Sequence, residues 1–306
     1  MNVFHHTAEA AGKIKNAVVT TGSFDGVHVG HKLIINRLNE IAANIGGESV
    51  LITFYPHPRT VLYPEQRNLQ MITSQEEKIE LLEKAGLDNL VIIPFSVEFS
   101  KTTSREFVTD LLIAHLNARV IVVGHNHHFG YARKGDYSYL YHLSQDVGFD
   151  VEEIPLQVIE NETVSSTKIR KALKEGQIQR ANAYLDHQYI IKGALYNGHV
   201  LSCLSEEPTI GIDICAREKL IPPPGIYACN LLIDQQWMKA MALISSEGSD
   251  QCRVECFLLY DQLSPVGKKA TLYFYKGVWY GEPHGNGEMK EAVVEDAKEM
   301  VEELIY

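Results

Sequence analysis

Cysteine is scarce and one-sided in this chain. There are five among 306 residues, all between Cys203 and Cys256, and no two form a C-x-x-C pair. The odd count and the spacing argue against a disulfide framework or a zinc knuckle and fit reducing surroundings. No run of about 18 apolar residues occurs, so no membrane-spanning helix is expected. The opening MNVFHHTAEAAGKIKN lacks the apolar core of a secretion signal, which sets the expectation of a cytoplasmic protein. Positive charge is also short: 28 Lys and Arg stand against 39 Asp and Glu, a net charge of −11. That balance repels polyphosphate backbones, so nucleic-acid and membrane partners are not expected. A small phosphate ligand needs only a nest of N–H groups and one or two cations, and it stays open. Repeats and low-complexity tracts are absent. What remains, 45% apolar and 22% charged, is ordinary globular composition with length for about two domains.

The first half alternates short apolar runs with helical patterns. AVVTTG, SVLITF, NLVIIPF, ARVIVVG and VEEIPL read as strands. Between them HKLIINRLNEIAANIG, SQEEKIELLEKAG and SREFVTDLLIAHL read as amphipathic helices, the second opening on an N-cap Ser74 and stopping at Gly86. Strands alternating with crossover helices predict a doubly wound parallel sheet, which binds ligands beyond the carboxyl ends of its strands. SSTKIRKALKEGQIQRANAYL adds one or two short helices. From Tyr189 onward the texture changes to closely spaced runs rich in Tyr and Val, parted by Gly, Pro, Asn, Asp or Ser, with a helical pattern only at the end. This predicts a small antiparallel β-barrel or sandwich closed by a C-terminal helix. The expected domains are 1–182 and 183–306.

One stretch carries most of the chemistry. Thr21-Gly22-Ser23-Phe24-Asp25-Gly26-Val27-His28-Val29-Gly30-His31 leaves the first long strand and opens the first long helix. Gly22 and Gly26 suit a tight turn and a close approach of backbone to ligand. His28 and His31 fall at a helix start, where free N–H groups and the dipole favour anions. Two donors beside a phosphate would stabilise charge developing at phosphorus. A second stretch, Ser165-Ser166-Thr167-Lys168-Ile169-Arg170, sets small hydroxyls and two cations at another helix start, which suits a triphosphate.

These segments resemble the H-x-G-H nucleotidyltransferases, and G-x-F-D-G-V-H-x-G-H is close to the version found in bacterial bifunctional FAD synthetases. Other pieces recur in the same order: Thr53–Arg59 resembles T-F-x-P-H-P, Val123–Gly130 followed by Gly135-Asp136 resembles V-G-x-D-F-x-F-G…G-D, and Val164–Arg170 resembles I-S-S-T-x-I-R. The resemblance implies an FMN adenylyltransferase that uses Mg²⁺, ATP and FMN and releases FAD. It implies ATP binding by Gly22, Ser23, Phe24, Gly30, Ser165, Ser166, Thr167 and Arg170, with His28, His31 and Asp25 at the reacting phosphate. Flavin binding is implied for His57, Pro58, Asn126 and Phe129. Ser23, Asn126 and His127 depart from the family's usual Asn, Asp and Phe. Two other readings therefore stay open, a different phosphomonoester acceptor or a non-catalytic flavin-binding regulator.

The second half resembles the riboflavin kinase barrel that follows in the bifunctional enzymes. Tyr189–Gly198 is similar to Y-x-I-x-G-x-V-x-x-G, Leu220–Ala228 to L-P-P-P-G-V-Y-A, and Val254–Leu259 to V-E-x-H-L-L. This implies riboflavin as a further substrate, Glu255 as the base on its ribityl hydroxyl, Tyr227 near the flavin and Thr209 near Mg²⁺. The family's nucleotide loop, G-R-x-L-G-x-P-T-A-N, has no close counterpart: Leu204-Ser205-Glu206-Glu207-Pro208-Thr209-Ile210-Gly211 keeps Pro-Thr and loses the Asn. A carboxylate about 4 Å from a phosphate charge costs on the order of 4 kcal/mol at an effective dielectric near 20. The expectation is weak or absent phosphorylation of riboflavin.

Overall fold

The computed structural model describes residues 1–65, 69–124, 127–154, 164–200, 208–214, 216–247, 251–259, 267–281 and 291–304. They form two compact units: Met1–Leu69 with Lys78–Val164, and Gln70–Glu77 with Ser165–Tyr306.

The first unit is built on a parallel sheet of β1 (Asn2–Phe4), β2 (Ala17–Thr21), β3 (Glu48–Tyr55), β4 (Asn89–Pro94), β5 (Ala118–Gly124) and β6 (Asp150–Ile154), in the order β1-β4-β3-β2-β5-β6. The strands are nearly continuous apolar runs because both faces are covered. Val19, Ile52, Val91 and Ile121 pack with Leu112, Leu116 and Phe149 on one face, while Val18, Val120 and Val122 pack with Leu38, Ile41 and Ala42 on the other. The helix Val29–Ile45 ends at Gly46 in the left-handed region, whose N–H returns to the last-turn carbonyls. The strands and helices read from the sequence are present. Not foreseen were the three-residue edge strand β1, the helix Tyr137–Val147 between β5 and β6, the short helices Thr7–Ala10 and Pro58–Leu62, and the π-helical winding of Phe107–His115 after the turn Ser104–Glu106.

In the second unit β7 (Tyr189–Val200), β8 (Pro208–Asp213), β9 (Gly225–Ile233), β10 (Gln236–Glu247), β11 (Gln251–Leu258) and β12 (Lys269–Tyr280) close into an antiparallel barrel, ordered β10-β11-β8-β7-β12-β9. Tyr189, Tyr227 and Phe274 are fully buried, and Phe274 meets the other two rings tilted or edge-on at centroid distances of 5.6 Å. The C-terminal helix Glu291–Leu304 lays Val294, Ala297 and Val301 on Ile226, Met241 and Leu243. The helices Ser166–Lys174 and Ile178–Leu185, which the sequence reading placed with residues 1–182, are grouped here with the barrel. Asn182 accounts for this: its amide donates to Phe274 O at 2.8 Å and accepts from Tyr189 N at 2.7 Å.

The segment Gln70–Glu77 is clasped into this unit by a buried ion pair. Lys219 Nζ donates to Glu77 Oε2 at 2.6 Å, Ile72 O at 2.6 Å and Ile190 O at 2.7 Å, and lies 4.3 Å from the centre of the Tyr189 ring. Glu77 also accepts from Ser74 N, completing a capping box, and from Lys192 N. Both side chains are 1% exposed. Removing one partner strands a buried charge, whereas replacing both removes the desolvation penalty as well. Lys219→Met should therefore lower stability by about 3–5 kcal/mol, and Lys219→Met with Glu77→Leu should recover much of the loss. Denaturant melts of the two variants measure the difference.

Candidate active site

In the order β4-β3-β2-β5-β6 the connections part on either side of β2, and a crevice opens beyond the carboxyl ends of β2 and β5. The chain leaves β2 at Thr21 and turns through Gly22–Val27 into the helix that begins at Val29. Phe24 (φ 45°) and Val27 (φ 41°) take left-handed backbone conformations beside Gly26 (φ 86°). A buried valine there is strained, and such strain persists where the surroundings hold it and clusters at functional sites. Gly22 has its own constraint: a Cβ added there would lie 2.9 Å from the Phe24 ring.

The turn stacks three rings. His28 caps the helix, and its imidazole lies 3.6 Å from that of His31, which lies 4.4 Å from Phe24. The Nδ1 atom of His31 is buried and has no hydrogen-bond partner among the described residues. Burial, then the charges of His28 and Lys78, push the His31 pKa well below 6.5, so the ring is neutral at pH 7. Lys78 is itself buried, its pKa lowered by burial and partly held up by Asp25, which is fully buried. Two imidazoles, a buried ammonium and a helix start make an anion-receptive corner. Lys78 escaped the sequence reading because one lysine within an amphipathic helix reads as solvated.

Next to the corner is a cleft of about 700 Å³, lined by Thr21, Ser23, Phe54, Phe95, Phe99 and Phe129 among others. The rings of Phe54, Phe95 and Phe99 lie 5.8 Å apart, as do those of Phe107 and Phe129. His57 and Pro58 lie on its wall, where His57 Nδ1 accepts from Arg59 N at 3.2 Å. A cleft with several Phe and Tyr rings in its lining, interleaved with polar groups that include Arg59 and Arg133, suits a flat ring system that carries polar substituents. At its β2–β5 end His127 Nε2 shares a hydrogen bond with Thr21 Oγ1 at 2.9 Å, and the ring stacks on Phe129. Asn126 lies outside the described residues.

The remaining candidates are in the second unit. Ser165 caps the helix Ser166–Lys174 by accepting from Lys168 N, and Thr167 sits in its first turn. Arg170 Nε donates to Gln70 O at 2.9 Å. Glu255 and Thr209 are each 3% exposed, on β11 and β8. Tyr227 is wholly buried, its hydroxyl donating to Pro223 O at 2.5 Å. Glu206 and Glu207 lie outside the described residues, and Pro208–Gly211, read from the sequence as part of a loop, belongs to β8.

Fold and corner together define an α/β domain of the H-x-G-H kind, followed by a closed antiparallel barrel. Residues 11–168 match the family model for FAD synthetase and residues 185–300 that for riboflavin kinase. The chain belongs to the FAD synthetase family, and it carries the riboflavin kinase domain as well. A bifunctional riboflavin kinase/FMN adenylyltransferase of Listeria monocytogenes is 29% identical over 85% of this chain and 83% of its own length. Its namesake in Pseudomonas fluorescens is 28% identical over 86% and 84%. A crystal structure titled as a macrolide-efflux protein, from Streptococcus pneumoniae, superposes with a TM-score of 0.84 at 23% identity, covering 99% of this chain and 97% of that one; this likeness concerns the fold alone. No helix among the described residues is long and apolar enough to cross a membrane.

His127 gives the cleft a measurable pH dependence. Burial, then the charges of His128 and Arg133, lower its pKa to about 4. In the unfolded chain it titrates near 6.5, so the unfolded state binds more protons between those values. The stability it contributes is complete above pH 6.5 and is lost as the pH falls towards 4. Between pH 6.5 and 5 the loss should be roughly 1–2 kcal/mol, and His127→Gln should flatten the curve. Thermal melts of both proteins across this range check it.

Proposed function

We propose that the chain makes FAD by transferring AMP from Mg·ATP to FMN. An oxygen of the FMN phosphate forms a bond to the α-phosphorus of ATP as the bond from that phosphorus to the bridging oxygen breaks, and pyrophosphate leaves. The observation that carries the reading is the His28–His31 stack at a helix start, beside an aromatic cleft at the sheet's switch point. The corner would take the phosphates and the cleft the isoalloxazine. No covalent intermediate is required; positioning and stabilisation of developing charge supply the rate.

In this reading His28 and His31 contact the ATP phosphates, with Gly22, Ser23, Phe24 and Gly30 shaping the turn around them. Ser165, Ser166, Thr167 and Arg170 grip the triphosphate. Asp25, in the same turn, would lie near the metal or the reacting phosphate, where Mg²⁺ would offset the charge of the phosphates. His57, Pro58, Asn126 and Phe129 face the flavin. Residues 1–182 form the adenylyltransferase domain and 183–306 the kinase-type domain, a division supported by family matches that end at 168 and resume at 185. A cytoplasmic setting suits buried free thiols such as Cys229 and Cys256. The family relatives are named for both activities; here the altered nucleotide loop sets riboflavin phosphorylation low. One observation favours a second acceptor reading, another phosphomonoester: His127 puts a neutral imidazole where the family has an apolar ring.

His28→Ala and His31→Ala should each lower FAD formation by about 10²–10³, the usual loss for one donor to a developing charge. Wild-type-like turnover in both would remove the corner from the mechanism. Arg170→Ala should raise the KM for ATP more than that for FMN, because a guanidinium on phosphate oxygens binds ground and transition states alike. A shift confined to the FMN KM would reassign Arg170 to the flavin.

A further inference from the structure

One wall of the aromatic cleft is a loop held in an uncommon conformation. Beyond β5 the chain folds back on itself, Phe129 N donating to Gly135 O and Gly135 N to Phe129 O, each at 3.0 Å. Tyr131 N donates to Thr102 O at 2.8 Å, and a Cβ added to Gly130 would lie 2.4 Å from Ser104 Oγ, so the loop is seated closely on residues 102–104. Its tip is a tight turn. Lys134 N donates to Tyr131 O at 3.4 Å, and both central residues, Ala132 (φ 53°) and Arg133 (φ 57°), are left-handed. Turns of this kind ordinarily take Asn, Asp or Gly at those positions, because a Cβ is crowded by its own backbone there. The turn between β9 and β10 keeps to that chemistry at its first central position, with Asp234 (φ 47°). Ala132 and Arg133 bring neither the freedom of glycine nor the local hydrogen bond of Asn or Asp. Residues that break a local rule while their surroundings hold them in place collect at functional sites.

Both residues line the cleft. Among the described residues of that lining the guanidiniums are Arg59 and Arg133, and there is no carboxylate. His127 tells where along the cleft Arg133 acts. Burial, then the charge of His128, then that of Arg133 hold the His127 ring below its ordinary pKa, and the ring is bonded through Nε2 to Thr21 Oγ1 at 2.9 Å. Thr21 runs directly into Gly22 and Ser23, which line the same cleft and open the histidine turn. Arg133 is thus on the side of the cleft that adjoins the phosphate corner.

The acceptor makes a demand that the residues named so far leave unmet. A phosphomonoester carries about 1.5–2 negative charges at pH 7. In the transfer one of its oxygens must come within about 3–3.5 Å of the α-phosphorus of a second polyphosphate. In the proposed reaction His28 and His31 already serve the ATP phosphates. A guanidinium keeps its charge throughout the physiological range and presents a planar fork of donors that grips phosphate oxygens in pairs.

We propose that Arg133, held out by its left-handed turn, binds the phosphate of the acceptor and selects phosphorylated over unphosphorylated flavins. The guanidinium holds the two phosphate oxygens that do not attack. The third forms the bond to the α-phosphorus of ATP as the bond from that phosphorus to the bridging oxygen breaks, and pyrophosphate leaves. The proposal rests on reading the first domain as an FMN adenylyltransferase and adds to that reading the group that recognises the anionic end of the acceptor.

The test compares the full-length protein with Arg133→Ala, Arg133→Lys, Arg133→Gly and Arg59→Ala. FAD formation is followed by chromatography with FMN and Mg·ATP varied in turn, and circular dichroism melts report folding. Lumiflavin, which has the flavin ring without ribityl chain or phosphate, serves as the competing ligand. Arg133→Ala should raise the KM for FMN at least about tenfold, the usual scale for a lost hydrogen bond to a charged group. The KM for ATP and the inhibition constant of lumiflavin should not move. Arg133→Lys should recover part of the loss, since it keeps the charge without the fork. Arg133→Gly should lose as much as Arg133→Ala yet melt no lower than the wild type, because glycine takes φ 57° freely. An unchanged FMN KM in a folded Arg133→Ala would overturn the proposal. So would lumiflavin inhibition that weakens as much as FMN binding, which would make Arg133 a contact of the ring, or a rise confined to the ATP KM. A loss seen in Arg59→Ala and not in Arg133→Ala would pass the role to Arg59. If Arg133→Ala does not fold, the glycine and lysine variants decide on the same measurements. A wild type that makes no FAD from FMN would overturn the reading of the domain itself, and the proposal with it.

Discussion

In a parallel sheet every strand must be re-entered from the same end, so all the connections that leave its strands emerge along one edge. In the first unit that constraint decides where chemistry can occur. The order β4-β3-β2-β5-β6 sends the connections from β2 and β5 to opposite sides, and side chains can converge on a ligand only where they part. Thr21, the histidine turn and His127 meet at that place. The strained φ angles of Phe24 and Val27 are tolerable because the buried core on both faces fixes the strands on which the turn is mounted.

The electrostatics of the turn follow from the same burial. A charged His31 would meet desolvation and the repulsion of His28 and Lys78 at once, which favours the neutral ring. A neutral imidazole still donates one hydrogen bond, and on the proposed reading a bound phosphate would favour its protonated form. The corner would then gain charge with its ligand, instead of carrying it beforehand. His127 is neutral for a similar reason, with Thr21 fixing its ring against Phe129.

Much of this was legible in the sequence because local signals and the fold agree: a capping serine before an acidic turn, apolar runs of strand length, a glycine after a helix. The histidine turn was legible through its spacing directly after a strand. What escaped depended on partners distant in the chain. Lys78 lies within a helix whose pattern reads as solvated, and only the packed unit buries it beside Asp25. Glu77 announces a capping box, but nothing local says that its carboxylate also meets Lys219, 142 positions away. Gly211 was read as a lost amide, and its pairing with Tyr196 is visible only once the register of β7 against β8 is known. The edge strand β1 was too short to show an alternation.

The closure of the barrel bears on how this chain can change. An open sheet ends in strands whose unpaired amides and carbonyls invite a neighbouring chain, and such sheets must protect those strands with charges, prolines or bulges. Here β9 pairs with both β10 and β12, so the ring of hydrogen bonds is complete. A barrel without a free edge can vary at its connections without offering a template for aggregation. The stretch between β7 and β8, where the nucleotide-loop pattern is lost, can diverge in sequence while the hydrogen-bonded ring stays whole.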